Sequence, residues 1–260
     1  RSRRQRQMCI RDRHRSHDVV EMPVPSGCRL ADPSSPGVEE LHQLAREAMG
    51  EEMIVAAAEP VSVMAGRDVL RGARVVRQQV GERVFEVAAD GFWQPHRDAP
   101  RTLVKAVLKA LKPRPGEVGL DLYCGVGLFA GALADAGLSV TGVEQDKRAS
   151  ALAARNVPEA TIVCGRLEKS LGELPHQVDV VVLDPPRSGA GERVVNRLTE
   201  LGARAIAYVA CDPAALARDL GTFAHLGWRT SLVRAFDLFP MTHHVECLAL
   251  IEPANSASPR

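Results

Sequence analysis

Gly-Leu-Asp-Leu-Tyr-Cys-Gly-Val-Gly-Leu-Phe-Ala, at residues 119–130, carries the clearest indication of the fold class. Its apolar first half predicts a buried strand that ends at Tyr123, and a helix is expected to begin at Leu128. Between them, Gly125 and Gly127 allow the backbone to approach a ligand closely, and the helix start offers free N–H groups. A strand, a glycine turn and a helix in this order are typical of the first unit of a parallel α/β sheet.

The same order of strand and helix recurs from about residue 101 to residue 252. Further strands are predicted at residues 139–144, 161–164, 178–183, 205–210, 228–234 and 245–251. Helices are predicted at residues 102–112, 128–136, 147–156, 192–201 and 213–226. This alternation indicates an α/β fold with a doubly wound, mostly parallel, seven-stranded sheet. Because no helix separates the last two strands, they are expected to form a C-terminal antiparallel hairpin.

The residues before this domain are predicted to form two segments. Residues 1–37 are expected to be a disordered basic arm and a linker rich in Pro, Ser and Gly, with a net charge of +6 over residues 1–17. The run from Met8 to Arg13 resembles translated sequencing-adapter DNA, so we expect residues 1–17 to be non-native and assign them no function. Residues 38–90 are predicted to be a small α+β subdomain, and residues 91–260 the main domain.

Composition excludes several classes of protein. Hydrophobic residues make up 45% of the 260 residues and charged residues 25%, as in ordinary globular proteins, which argues against a mostly disordered chain. The sequence contains no run of 18 apolar residues, so no membrane span is expected. The six cysteines form no C-x-x-C pair, so neither a zinc knuckle nor a disulfide framework is expected. A reducing cytoplasm fits this use of cysteine best.

Glu144 and Asp121 indicate which cofactor the glycine turn would bind. Glu144 ends the second predicted strand, 19 residues after Gly125, where an acid can accept hydrogen bonds from a ribose diol. The turn also satisfies the dinucleotide pattern G-x-G-x-x-A, so an NAD-dependent oxidoreductase is an alternative. A negative charge at Asp121 would repel a pyrophosphate, but it suits the cationic amino and sulfonium groups of S-adenosylmethionine. The pattern therefore favours S-adenosylmethionine over NAD.

Two further reactive groups follow predicted strands. Asp184 begins the run Asp-Pro-Pro-Arg, whose prolines stiffen the loop and fix the direction of the acid. Arg187 stands where amino-methylating enzymes usually carry an aromatic residue, which argues against adenine-N6 chemistry. Cys211 follows the fifth strand and precedes a helix, whose N-terminus is expected to lower the pKa of the thiol and favour a nucleophilic thiolate.

Glu246 opens the last predicted strand and is a candidate general base. By residue type, a set of metal ligands could also be formed beside it by His243, His244 and Cys247. The two adjacent histidines would point apart in an extended chain, and no second cluster completes a tetrahedral set. We therefore expect no metal at this segment.

In these segments the sequence resembles the RNA uracil-5-methyltransferase family, which makes 5-methyluridine in ribosomal or transfer RNA. The resemblance spans about residues 84–252 and is carried by Phe92-Trp93-Gln94, residues 121–129, Val143-Glu144, residues 183–187, residues 209–213, Leu216-Ala217-Arg218-Asp219 and residues 237–246. It implies a class I methyltransferase sheet, S-adenosylmethionine as methyl donor, and an RNA loop that presents an unstacked uridine. A cytoplasmic monomer that does not bind membranes is expected.

The resemblance also assigns roles to residues. Cys211 matches the family's nucleophile and Glu246 its base. The donor-binding positions that match are Gln94, Tyr123, Glu144 and Asp184, beside Gly125 and Gly127 of the glycine turn. A non-catalytic or weakly active RNA-binding or folding protein with this fold is the alternative, and the presence of both Cys211 and Glu246 favours the enzyme.

The chain departs from the family at several places. His96 stands where members often have Asn, and Leu128 stands where some have Asn, so that donor contact is not expected. Longer members carry an N-terminal β-barrel and a four-cysteine iron–sulfur cluster, and the sequence shows neither. We therefore expect an N-terminally truncated chain, with residues 38–90 as the remnant of the family's central subdomain.

Overall fold

The computed structural model describes residues 13–15, 18–20, 38–48, 53–238 and 244–254. The chain divides into two compact units. One comprises Arg1–Gln79 and Glu86–Arg97, and the other comprises Val80–Phe85 and Asp98–Arg260. Most of the predicted arm at residues 1–17 lies outside the described residues. The domain boundaries expected after residues 37 and 90 stay a prediction.

The first unit contains short antiparallel strands and one helix. Its elements are β1 (Arg13–Arg15), β2 (Asp18–Val20), α1 (Val38–Glu47), β3 (Met53–Ala56), β4 (Ser62–Ala65), β5 (Asp68–Arg71), β6 (Val75–Val80) and β7 (Arg83–Ala88), the last of which begins in the second unit. β1 pairs with β2, within residues for which the sequence predicts no regular element. β3, β4 and β5 form a three-stranded sheet, and β6 pairs with β7. The buried Ser62 hydroxyl donates to the carbonyl oxygens of Arg71 and Ala73, at 3.1 and 2.7 Å.

The second unit contains the large sheet and its helices. Its elements are α2 (Ala99–Leu111), β8 (Val118–Leu122), α3 (Leu128–Asp135), β9 (Ser139–Glu144), α4 (Lys147–Asn156), β10 (Thr161–Cys164), α5 (Leu167–Ser170), β11 (Val180–Leu183), α6 (Glu192–Thr199), β12 (Ala205–Ala210), α7 (Pro213–His225), β13 (Trp228–Phe236) and β14 (Glu246–Pro253). The strand order is β10-β9-β8-β11-β12-β14-β13. β8 to β12 are parallel, and β14 is antiparallel to both β12 and β13. The predicted fold class and its terminal hairpin are confirmed. No described helix is long and apolar enough to cross a bilayer.

Burial on both faces explains why the central strands are continuous apolar runs. Every residue of β11 and β12 is buried. A parallel sheet covered by helices on both sides has no solvent face, so its inner strands lack the alternation of polar residues. Tyr208 is the largest of the fully buried side chains and lies on β12. This core holds the strand ends rigidly, which is what a site at those ends requires.

Capping residues at the N-termini of two helices define where the preceding loops end. The Asp146 carboxylate accepts from two backbone N–H groups at the start of α4, and the Asp212 carboxylate does the same at the start of α7. Pro213 occupies the first turn of α7, where a missing N–H costs nothing. As a result, α7 begins two residues after Cys211.

One edge of the sheet collects the predicted site residues of the second unit. The carboxyl ends of β8, β9, β11 and β12 lie at this edge, and so does the amino end of the antiparallel β14. The chain leaves β8 for β9 on one side and reaches β11 on the other side, so the order of strands reverses there. Open α/β sheets bind their ligands at such a reversal.

Candidate active site

The glycine turn after β8 has an unusual backbone. Tyr123 has a φ of 65°, in the left-handed region, which non-glycine residues rarely adopt outside strained or functional sites. Gly127 has a φ of 93°, and a Cβ there would lie 2.9 Å from Val157 Cγ2. A Cβ on Gly125, in contrast, would meet no atom within 4 Å. Gly127 is thus needed for packing against the protein, whereas the space above Gly125 is open to a ligand.

Glu144 joins this turn to the end of β9. Its Oε2 accepts a hydrogen bond from the Gly125 N–H at 2.9 Å, and its Oε1 accepts one from the Asp146 N–H at 2.7 Å. A carboxylate has about four acceptor positions, so each oxygen keeps a lone pair for a ligand hydroxyl. The half-buried Glu144 side chain is therefore held in place and can still accept from a ribose diol.

Asp121 lies beneath the same turn and is fully buried. Its Oδ2 accepts from the Ala130 N–H at 2.6 Å, and its Oδ1 has no hydrogen-bond partner among the described residues. Burial, with smaller contributions from the carboxylates of Asp184 and Glu144, raises the pKa of this carboxyl to about 8, against the lowering effect of the Ala130 hydrogen bond. A bound cation at this edge would favour the ionised form of Asp121. This agrees with the argument from the sequence for a cationic cofactor.

Cys211 and Glu246 face each other across neighbouring strands. The antiparallel register of β12 and β14 pairs Ala210 with Cys247, so the next residues in each direction are Cys211 and Glu246. Asp184 follows Leu183, which pairs with Leu122 on one side and Tyr208 on the other. The structure therefore brings together three groups that the sequence places 27 to 62 residues apart.

The protonation of this cluster follows from its burial. Glu246 is 3% exposed, and burial, with a smaller contribution from the Asp184 carboxylate, raises its pKa to about 8. Burial also raises the pKa of Asp184 to about 7. Near neutral pH, a large share of these two carboxyls is protonated.

The thiol corrects one expectation from the sequence. Burial, and then the carboxylates of Glu246 and Asp184, raise the pKa of Cys211 to about 11, although the helix start at Pro213 predicted a lowered value. That prediction was wrong because desolvation and two nearby acids outweigh the helix N-terminus. The resting group is a protonated thiol, and it needs help to become a nucleophile.

The Arg187 guanidinium supplies a positive charge that opposes the two acids near Cys211. The sequence analysis did not assign Arg187 to this site. Its guanidinium charge lies close enough to the Cys211 thiol to lower the pKa of that thiol, against the larger effects that raise it. Its Nη2 lies 3.4 Å from His244 Nε2. The sequence does indicate a positively charged side chain in a loop stiffened by two prolines. There, Arg187 argued only against methylation of adenine N6.

Gln94, His243 and His244 are the remaining positions that the sequence analysis singled out. Gln94 is buried within the first compact unit, and its contact with a donor stays a prediction. The segment 239–243, which carries part of the family resemblance and His243, lies outside the described residues. His244, weighed as a metal ligand, contacts Arg187 instead.

Comparisons with known proteins agree with this geometry. A family model described as tRNA (uracil-5-)-methyltransferase matches residues 166–253, and one described as methyltransferase small domain matches residues 100–209. An RNA methyltransferase of Streptomyces avermitilis, described as uncharacterized, is 45% identical over 93% of this chain and 63% of its own length. One from Streptomyces coelicolor is 51% identical over 75% of this chain and 45% of its own length. The chain thus spans about half the length of the curated relatives it matches.

A solved structure gives the same result. The tRNA (uracil-54, C5)-methyltransferase of Pyrococcus abyssi, in complex with S-adenosyl-L-homocysteine, is 30% identical with a TM-score of 0.62, over 72% of this chain and 47% of its own. The seven-stranded sheet and the glycine turn define a class I methyltransferase domain. Within that class, the resemblance of this chain to the RNA uracil-5-methyltransferase family is confirmed.

Proposed function

We propose that the protein transfers a methyl group from S-adenosylmethionine to C5 of a uridine in ribosomal or transfer RNA. The observation that carries this proposal is the pairing of a thiol, Cys211, with a carboxyl group, Glu246, across β12 and β14. Uracil C5 is a poor nucleophile, and its methylation needs both an attacking group at C6 and a base for the C5 proton. The two groups lie at the sheet edge that also holds the glycine turn.

The residues at the glycine turn fit this donor. Glu144 would accept hydrogen bonds from the ribose hydroxyls, while the open face of Gly125 admits the nucleoside. The positive charge of the donor would favour the ionised forms of the buried Asp121 and the half-buried Asp184, whose pKa values are raised without it. When bound, S-adenosylmethionine supplies a methyl group made electrophilic by its sulfonium.

The two catalytic side chains act on opposite ends of one double bond. The Cys211 thiol passes its proton to the Asp184 carboxylate while Arg187 stabilises the thiolate, and the sulfur adds to C6 of the uracil. The resulting enolate has its electron density at C5, which attacks the methyl group in line. Glu246 then removes the C5 proton, and the C6–S bond breaks by β-elimination to release Cys211.

The substrate must reach these groups as an unstacked base. A paired uridine hides C5 and C6 within the helical stack, so enzymes that modify bases act on loops or flip the base out. An RNA loop is therefore the proposed partner. Mass spectrometry of ribosomal and transfer RNA from cells with and without the gene tests this proposal, and a uridine that loses its 5-methyl group identifies the substrate.

The raised pKa of Glu246 predicts how the rate depends on pH. Only the ionised carboxylate can take the C5 proton, and it is the minor form below a pKa of about 8. We expect kcat to rise with pH through about 7 to 9, measured as methyl transfer to RNA with both substrates saturating. Because both substrates are saturating, a change in donor affinity over the same range, followed by calorimetry, does not enter kcat. A kcat that is flat or falls across this range would contradict the assignment.

The position of Glu144 predicts a loss of donor affinity on its removal. The loss of one charged hydrogen bond costs about 1.5–3 kcal/mol, so Glu144→Ala should weaken donor binding roughly 10- to 100-fold in calorimetry. Glu173→Ala, at an exposed glutamate of the same unit, is the matched control. Unchanged affinity in Glu144→Ala would reject this assignment.

A further inference from the structure

The loop that carries Arg187 is fastened to helix α7. It runs from Pro185 to Gly191 between β11 and α6. The Ala190 N–H donates to Asp219 Oδ2 at 2.7 Å and lies 3.1 Å from the Tyr208 hydroxyl oxygen. The Gly191 N–H lies 3.4 Å from the same carboxylate oxygen. Backbone groups at the far end of the loop therefore converge on one side chain.

Asp219 is 1% exposed and is held by more than the loop. The Tyr208 hydroxyl donates to its Oδ2 at 2.7 Å, and Arg218 Nε lies 3.5 Å from its Oδ1. Arg218 also reaches the loop directly, because its Nη2 donates to the Ser188 carbonyl at 2.5 Å. We refer to Tyr208, Arg218 and Asp219 as the α7 clamp.

Gly189 shows how closely the loop lies against the clamp. Its φ is +83°, and a Cβ at this position would lie 2.5 Å from Asp219 Oδ2 and 2.7 Å from Arg218 Nη2. Its N–H donates to the Pro186 carbonyl at 2.8 Å and closes a tight turn around Arg187. Only glycine fits such a contact without moving the loop.

Burial of the Asp219 carboxylate costs free energy that a purely structural contact could avoid. Burying a carboxylate is unfavourable unless several donors satisfy it, and replacement by apolar residues is often neutral for stability. Here all the donors come from the loop, from Tyr208 beneath it and from Arg218 beside it. With Pro185 and Pro186 stiffening the near end, the loop is held on both sides of Arg187.

We propose that the α7 clamp positions the Arg187 guanidinium against the Cys211 thiol. Tyr208, Arg218 and Asp219 are then positioning residues, which act on the reaction through Arg187 and do not touch the substrate. This inference rests on the proposed function, in which Cys211 must become a thiolate. It also gives a role to the segment Leu216–Asp219, which the sequence analysis left without one.

Gly189→Ala and Tyr208→Phe test the proposal, with Arg187→Gln as the reference and Gly221→Ala as the matched control. A Cβ on Gly221 of α7 meets no atom within 4 Å, so this substitution should change nothing. The first readout is alkylation of Cys211 by iodoacetamide as a function of pH, followed by peptide mass spectrometry. It requires neither RNA nor methyl transfer.

Alkylation near neutral pH is expected to slow about 10-fold in Gly189→Ala and Tyr208→Phe, because a thiolate that loses its interaction with the Arg187 guanidinium is less populated. The pH midpoint of the reaction should rise in both variants. Hydrogen exchange at the Ala190 and Gly191 amides should become faster. An alkylation rate that is unchanged or faster in both variants would overturn the proposal. Because two variants are measured, the proposal can still be tested if one of them fails to fold.

A double-mutant cycle tests whether the clamp acts through Arg187. Adding Tyr208→Phe to Arg187→Gln should cause no further loss in alkylation rate, whereas two independent effects would multiply. Multiplying effects would overturn the positioning role. In methyl-transfer assays kcat should fall while donor affinity stays within about twofold. Failure of the proposed function itself would appear as a wild-type chain without methyl transfer, and the alkylation results would still decide on the clamp.

Discussion

Cys211→Ala is expected to abolish methyl transfer and to form no covalent adduct with RNA. Without the sulfur, C6 is never attacked, and C5 gains no electron density with which to displace the methyl group. Formation of 5-methyluridine by mass spectrometry and protein–RNA adduct on a denaturing gel are the two measurements. The substitution removes a half-buried thiol, so the fold should persist, and donor affinity by calorimetry should stay close to that of the wild type.

Cys164→Ala is the matched control for this prediction, because Cys164 is an exposed cysteine at the end of β10. It should methylate at the wild-type rate. If Cys211→Ala still makes 5-methyluridine, the nucleophile is misassigned. The assay needs an RNA that the chain can bind, so a longer homologue should be run beside it.

Glu246→Gln is expected to fail at a later step and to accumulate a covalent RNA–protein adduct. The thiol can still attack and the methyl group can still transfer, but the C5 proton cannot leave, so the C6–S bond does not break. Glutamine has nearly the shape of the protonated carboxyl that a pKa of about 8 favours near neutral pH, so the buried site should tolerate it. The adduct should be stable on a denaturing gel and appear only with both donor and RNA present.

RNA that contains 5-fluorouridine provides the comparison for this adduct. Fluorine cannot be removed as a proton, so the wild-type chain should be trapped in the same way. The double variant Cys211→Ala/Glu246→Gln should give no adduct with either RNA. Normal turnover by Glu246→Gln would place the base elsewhere, and Asp184 would be the next residue to test because its pKa of about 7 also suits proton transfer.

Local sequence patterns were sufficient for most of the sheet. The bounds predicted for β9, α4, β10 and β12 agree with the structure, because each is an apolar or amphipathic run with a clear stop on both sides. The four-residue helix α5 was missed, since so short an element has no periodicity to detect. Placing Glu144, Asp184 and Cys211 at strand ends also followed from the pattern, because parallel strands end at one common edge.

Sequence patterns were therefore enough for the fold class, and together with the family resemblance they predict the cofactor-binding edge and the candidate nucleophile and base. Tertiary structure decided how these groups behave. The effect of Arg187 on the Cys211 thiol, the clamp around Asp219, and the raised pKa values of Cys211 and Glu246 all depend on residues brought together from distant parts of the chain. A pKa reflects the solvent and charges around a group in space, and a helix start seen in the sequence is only one of those influences. For Cys211, burial and two acids reversed the direction that the local sequence predicts.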